Sequence, residues 1–289
     1  MPIANDLPAA LIYSAAFVLG LVVGSFLNVV IIRQPRRMMY QWRQQCLEYL
    51  GIQGPAKEPP PPGIVVEPSH CVVCSHRLSA WENIPVISYL LLRGRCRGCG
   101  TRIAWRYPVV ELITAVLSLV VVWHFGLSAA AIGALALTWS LIVLTGIDLE
   151  HQLLPDTITL PLLWLGLVFN LATTYAPLDQ AVIGALAGYL SLWLVYQAFR
   201  LLTGKEGMGY GDFKLTAALG AWLGWSMLPV IILFASLSGA LVGIALLLLA
   251  RTERETPLPF GPYLAAGGWL ALIWGDALLQ RYFAAFNVV

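Results

Sequence analysis

Ala10-Leu-Ile-Tyr-Ser-Ala-Ala-Phe-Val-Leu-Gly-Leu-Val-Val-Gly-Ser-Phe-Leu-Asn-Val-Val-Ile-Ile32 runs without one charged side chain and stops at Arg33. About 20 such residues in a helix cross the roughly 30 Å hydrocarbon core of a bilayer. Seven further apolar runs follow, near 108–124, 127–147, 157–175, 180–202, 213–228, 229–250 and 259–281. The second and sixth of the eight runs are short and the boundary at 228/229 is soft, so seven or nine spans stay open. Only 11% of the residues are charged and the mean hydropathy is +0.77, against roughly 25% charged residues in soluble domains. The expected fold is an all-α polytopic membrane protein of about eight transmembrane helices with a cytosolic zinc-binding loop. No Lys or Arg precedes residue 33, so the first run lacks the basic start of a cleaved signal peptide and reads as a retained span.

Charge sets the expected orientation. Of the 17 Lys and Arg residues, 11 lie between Arg33 and Arg106, against four acids there (Glu48, Glu58, Glu67, Glu82). Arg200, Lys205, Lys214, Arg251 and Arg254 follow. With eight spans all of these fall on one side and Arg281 alone on the other, which makes the crowded side the cytosol. A basic loop can also bind nucleic acid, but one wedged between spans is accounted for by topology, and no nucleic-acid partner is expected. Three parts result: a first span at 1–32, a polar cytosolic insert at 33–106 and a helical bundle at 107–289. The insert holds Pro59-Pro-Pro-Pro62, which reads as an extended spacer. Gly184-x-x-x-Gly188 and Gly220-x-x-x-Gly224 suit close helix packing in lipid.

Within the insert, Cys71-x-x-Cys74 and Cys96-x-x-Cys99 can each present two thiolates from one turn and together complete a tetrahedral Zn²⁺ site. Gly94, Gly98 and Gly100 supply backbone freedom to the second turn. Two disulfides are the alternative, which a reducing cytosol disfavours. Four protein ligands make such a metal structural. His70, His76 and the unpaired Cys46 read as bystanders.

Acids at membrane depth are costly and mark function. Asp148 ends the run Ser140-Leu-Ile-Val-Leu-Thr-Gly-Ile-Asp148, and Asp212 follows Gly209-Tyr-Gly and opens the next run. Two carboxyl groups near one water suit acid–base hydrolysis of a peptide, sharing one proton between them. The helix dipole favours Asp212, at a helix N-terminus, as the ionised partner. Each acid has a plain alternative, a solvated headgroup residue for Asp148 and an N-cap for Asp212. Asp156, after Pro155, reads as an N-cap, and Glu150 and His151 as solvated loop residues.

Asp148-Leu-Glu-His-Gln-Leu-Leu-Pro-Asp156 together with Gly209-Tyr-Gly-Asp212 resembles the type IV prepilin peptidases, within the Gly-x-Gly-Asp intramembrane aspartyl proteases. Gly24-Ser-Phe-Leu-Asn28, Glu82-Asn83-Ile-Pro85, Arg106-Tyr-Pro-Val-Val-Glu111 and Pro259-Phe-Gly-Pro262 fit the same family in order along the chain. The resemblance implies a catalytic dyad on Asp148 and Asp212 and zinc ligands on Cys71, Cys74, Cys96 and Cys99. It implies cleavage of the short basic leader of type IV prepilins and of secretion pseudopilins, at the bacterial inner membrane. Because the cysteine loop is present, it also implies N-methylation of the new terminus with S-adenosylmethionine, with Asn28, Glu82, Asn83, Arg106 and Glu111 as donor-site candidates. A peptidase without methyltransferase activity is the alternative. No Gly-rich nucleotide loop after a strand is present, so the donor site is not expected to be Rossmann-like. The glycine-rich loop 203–211 and Pro257, Pro259 and Pro262 offer non-helical chain to admit a substrate. A transporter would show inverted repeats and midplane charges, and a scaffold would leave the aspartates without purpose.

Overall fold

The computed structural model describes residues 8–52, 59–65, 67–249 and 258–285. Lys57, Glu58, Arg251, Arg254 and Pro257, which entered the charge and loop readings, lie outside the described residues. Among the described residues the regular structure is helical, with two isolated β-bridges and no strand. The chain divides into two compact units, Met1–Leu127 and Ser128–Val289.

The first unit is built on α1 (Ala9–Tyr49), a short α2 (Ile87–Leu91) and α3 (Arg106–Phe125). α1 does not stop at the end of the apolar run. Residues 33–49 are rich in Arg, Gln and Met, all good helix formers, and the helix carries on through Pro35 to Tyr49. α1 and α3 meet backbone to backbone. A Cβ on Gly20 would lie 2.5 Å from Cα of Ala115, and one on Gly24 2.7 Å from Cα of Glu111, so only glycine admits this approach. Past the apolar run, α1 grips the polar segment that follows. The Arg33 guanidinium donates to the carbonyls of Gly63 (2.5 Å), Glu67 (3.0 Å) and Pro68 (3.2 Å). Arg37 reaches those of Pro61 and Pro62, both at 3.4 Å.

The two cysteine turns are a local repeat that residue spacing alone did not reveal. Cys71 N–H bonds to the His76 carbonyl and Ser75 N–H to that of Cys71; Cys96 bonds to Thr101 and Gly100 to Cys96 in the same way. The bridges His70–Arg77 and Arg95–Arg102 close the two turns at matching positions. Ser75 (φ 57) and Gly100 (φ 72) hold the matching left-handed position. This is where the glycine of the second turn is needed.

The second unit contains α4 (Ala129–His151), α5 (Asp156–Asn170), α6 (Leu178–Thr203), α7 (Tyr210–Leu223), α8 (Leu228–Leu248) and α9 (Gly261–Ala285). Every apolar run of the sequence thus forms a helix. Among the described residues five segments are long and apolar enough to cross a membrane: α1, α3, α4, α6 and Trp225–Leu248. α5 is shorter, and α7 has only 14 residues. The start signals are local. The Ser128 hydroxyl accepts from Ala131 N–H at 3.1 Å to cap α4, prolines stand immediately before α5 and α6, and Gly204 (φ 71) and Gly224 (φ 79) end α6 and α7. The boundary expected at 228/229 therefore falls earlier, where Gly224 and the turn Trp225–Met227 separate α7 from α8.

α7 is the centre of this unit, buried at nearly every position from Asp212 to Leu223. Gly184 and Gly188 of α6 face Gly220 and Thr216 of α7, with no room for a side chain at either glycine. The Gly220-x-x-x-Gly224 reading thus divides: Gly220 is a packing residue and Gly224 a helix stop. At the far end of α7, the buried Asn170 amide donates to the carbonyls of Ala221 and Trp222 at 2.9 Å, and Trp222 Nε1 donates to Leu162. The two Asn170 bonds satisfy carbonyls at the end of α7 that a short buried helix would otherwise orphan.

Candidate functional site

Three clusters carry chemistry. The first is in the second unit. Asp148 lies one turn before the C-terminus of α4, and Asp212 is the third residue of α7. Both are buried, at 5% and 8% exposure, and Asp148 lies close enough for its charge to act on Asp212. Asp148 Oδ2 accepts the backbone N–H of Gly261, the first residue of α9, at 3.0 Å. An added Cβ on Gly261 would lie 2.6 Å from that oxygen and 3.1 Å from Leu154. One on Gly211, beside Asp212, would lie 2.8 Å from the same Leu154 side chain. Leu154 therefore packs against the glycines next to both aspartates. The phenyl and phenol rings of Phe213, Tyr196 and Tyr210 pack together 5.4–5.6 Å apart at the start of α7.

Gly261 was not singled out as a site residue, although the sequence marked its motif. Its contribution is a backbone N–H, which no residue type announces. It also changes the dipole argument, because Asp148 has the N-terminus of α9 against it as well as the C-terminus of α4. Helix ends alone do not distinguish the two carboxyls.

Asp156 is not an N-cap. Pro155 precedes α5 and no side chain caps that end; instead both Asp156 oxygens lie 2.7 Å from Lys214 Nζ. Glu150 and His151 are the last residues of α4 and not loop residues. Pro259 lies outside the helix, whereas Pro262 sits in the first turn of α9, where a missing N–H costs nothing.

The second cluster is a cavity of about 410 Å³ in the first unit, in the range of small-molecule pockets. Asn28, Glu82, Asn83, Arg106 and Glu111 all line it. Asn28 is 2% exposed, and its amide nitrogen donates to the carbonyls of Tyr107 (3.1 Å) and Gly24 (3.3 Å). Glu111 accepts Val86 N–H at 2.7 Å. Glu82 is held by the Ser79 hydroxyl (2.5 Å), the Ser79 N–H (2.9 Å) and His76 Nε2 (3.4 Å). The Ser79 bonds, the hydroxyl first, and then His76 hold its carboxyl below the usual glutamate range. His76 stands outside the set of metal-ligating groups, as expected, and has a different role: it ties Glu82 to the first cysteine turn. Arg106 lies over the Tyr107 ring, 5.5 Å from its centroid.

The third cluster is the four cysteines. Their sulfurs lie within 4.8 Å of one another, with Cys71–Cys99 at 3.8 Å and Cys74–Cys96 at 3.9 Å. Sulfurs at the corners of a tetrahedron around Zn²⁺, about 2.3 Å from the metal, stand roughly 3.8 Å apart. The donor set fits a metal ion and is far too open for disulfides, whose sulfurs sit about 2.05 Å apart. The Thr101 hydroxyl, with the Thr101 backbone behind it, pushes the Cys99 thiol down to about 6, whereas the neighbouring Cys99 sulfur pushes the Cys74 thiol up to about 12, so without a metal the thiols hold their protons unequally. Cys46 stands apart as an exposed thiol.

Residues 18–125 match the bacterial peptidase A24 N-terminal domain, and residues 135–244 match the type IV leader peptidase family. The prepilin leader peptidase/N-methyltransferase of Aeromonas hydrophila is 51% identical over 286 residues, covering 99% of this chain and 98% of that protein. The Pseudomonas aeruginosa protein of the same name is 52% identical over 271 residues, 93% of each chain. No solved structure matches the chain. Together with two buried aspartates in one helical unit and a four-cysteine cluster in the other, this near full-length likeness shows that the chain belongs to the type IV leader peptidase family.

Proposed function

We propose that this protein cleaves the basic leader of type IV prepilins and secretion pseudopilins and then methylates the exposed α-amine, at the cytosolic face of a bacterial inner membrane. The observation that supports the cleavage half is the burial of Asp148 and Asp212 in one helical unit, with Asp148 held by the Gly261 N–H. One carboxylate takes a proton from the attacking water. The other carboxyl donates to the scissile carbonyl, and the proton passes on to the departing amine. The substrate's apolar helix can lie in lipid while the extended residues before it reach the dyad. The basic crowding between Arg33 and Arg106 supports a cytosolic insert.

The methylation half rests on the 410 Å³ cavity that gathers all five donor-site candidates. S-adenosylmethionine bound there would supply the methyl group. Asn28 and Glu111 would bind it on the buried side, and Glu82, braced by Ser79 and His76, would fix the wall next to the first cysteine turn. We take the four cysteines to hold one structural Zn²⁺ that keeps the two turns, and so this wall, in place. Incubating the purified protein with a prepilin and labelled S-adenosylmethionine, and scoring leader loss and methyl incorporation separately, tests both halves. Loss of the leader without incorporation would leave a peptidase alone, and incorporation without leader loss would overturn the dyad.

A further inference from the structure

The cavity of the first unit has a distinct polarity. Its deep side is made by Ser25 and Asn28 of α1 and Glu111 of α3. The Asn28 amide nitrogen is committed to two carbonyls, those of Gly24 and Tyr107. Carbonyls only accept, so this fixes which way the amide faces. Among the described residues the Asn28 side-chain oxygen is left buried with no hydrogen-bond partner, at a residue only 2% exposed. A buried acceptor left unpaired costs about 1–3 kcal/mol, and such atoms are rare. Glu111, 7% exposed, takes Val86 N–H and the Ser25 hydroxyl. A carboxylate has about four lone-pair sites, so acceptor capacity remains. Of the arginines that line the same cavity, Arg36, Arg97 and Arg102 are exposed, buried Arg33 spends its guanidinium on the Gly63, Glu67 and Pro68 carbonyls, and half-buried Arg106 lies over the Tyr107 ring. The Asn28–Glu111 floor thus presents acceptors, while the lining cations are exposed or engaged by other groups.

We propose that the Asn28–Glu111 floor is a subsite for a primary ammonium group borne on an α-carbon. This rests on reading the cavity as the methyltransferase site. An ammonium ion carries three donors and no acceptor, which complements one orphaned amide oxygen and one carboxylate. No anion or neutral acceptor does so. Two groups in the proposed reaction have this chemistry: the α-ammonium of the methyl donor's methionine moiety and the α-ammonium of the cleaved peptide.

The test is equilibrium binding to the full-length chain in nanodiscs. One arm compares S-adenosylhomocysteine with its analogue lacking the α-amine. The other compares an apolar pilin N-terminal peptide bearing a free amine with its N-acetylated form. In one arm the amine form binds about tenfold tighter, as one charge-assisted hydrogen bond gives, and that arm identifies the source. Glu111→Gln, which keeps an acceptor for Val86, removes the preference and leaves the amine-free probe bound as before. Asn28→Ser, which loses the side-chain carbonyl, is read in the same way should Glu111→Gln not fold. No preference in either arm, or equal weakening of amine and amine-free probes by the variant, overturns the proposal. Failure of both adenosyl probes with an intact preference in the peptide arm keeps the ammonium subsite and removes the donor from this cavity. Adenosyl binding that ignores the amine, with no preference in the peptide arm, does the opposite.

Discussion

Gly261 donates its backbone N–H to Asp148 Oδ2 at 3.0 Å, and a methyl group on Gly261 would sit 2.6 Å from the same oxygen. Gly261→Ala must therefore push the carboxyl away or shift the start of α9. Displacements of about 1 Å at reacting groups cost on the order of 10²-fold in rate. We expect Gly261→Ala to lower leader cleavage by about that factor, with membrane insertion and thermal unfolding little changed. Cleavage within about twofold of the parent would remove Gly261 from the aiming of Asp148.

The Asp156–Lys214 pair leads to the opposite expectation. Asp156 belongs to the same family-like stretch as Asp148, yet its side chain is half exposed and paired at 2.7 Å with a part-exposed lysine. Exposed pairs contribute about 0–1 kcal/mol. Asp156→Asn is expected to slow cleavage less than about tenfold, in contrast to either dyad residue. A loss as large as that of Asp148→Asn would place Asp156 in the chemistry itself.

The eight apolar runs were legible because lipid imposes both length and composition, and each run became a helix. The four cysteines were legible because spacing along the chain maps onto a knuckle. What the sequence hid depends on contacts remote along the chain or on backbone atoms. Hydropathy ends the first span at Ile32, whereas helix propensity carries α1 to Tyr49. Lys214 finds Asp156 across 58 positions. Gly261 acts through an N–H that every residue but proline carries. His76 looked idle beside Cys74 until the fold brought Glu82 to it.

The metal can be tested by composition and by pH. The four sulfurs should hold one zinc per chain, lost in Cys71→Ser. Metal binding needs thiolates, so acidification that protonates them should release the ion, and rising pH should restore it. Protein purified without chelator and found essentially free of zinc would contradict this reading.

Packing of α6 on α7 depends on Gly184, Gly188 and Gly220. Overpacking of a close interface costs about 1–3 kcal/mol or more, and here the obstruction is backbone, which cannot change rotamer. Gly220→Leu should sharply lower the yield of folded protein and its midpoint of thermal unfolding. Wild-type stability in this variant would mean that the two helices do not pack as described.

Asp148 and Asp212 are expected to act as one hydrolytic pair, separate from methyl transfer. Asparagine keeps the size of each side chain but cannot exchange the proton that hydrolysis requires, and members of a unit fail together. The most direct measurement is a matched assay of Asp148→Asn and Asp212→Asn on intact prepilin and on a precut peptide with labelled S-adenosylmethionine. Each variant is expected to lose cleavage by on the order of 10⁴-fold or more, to leave intact prepilin unmethylated, and still to methylate the precut peptide. Near-normal cleavage by either variant would contradict the hydrolytic pair.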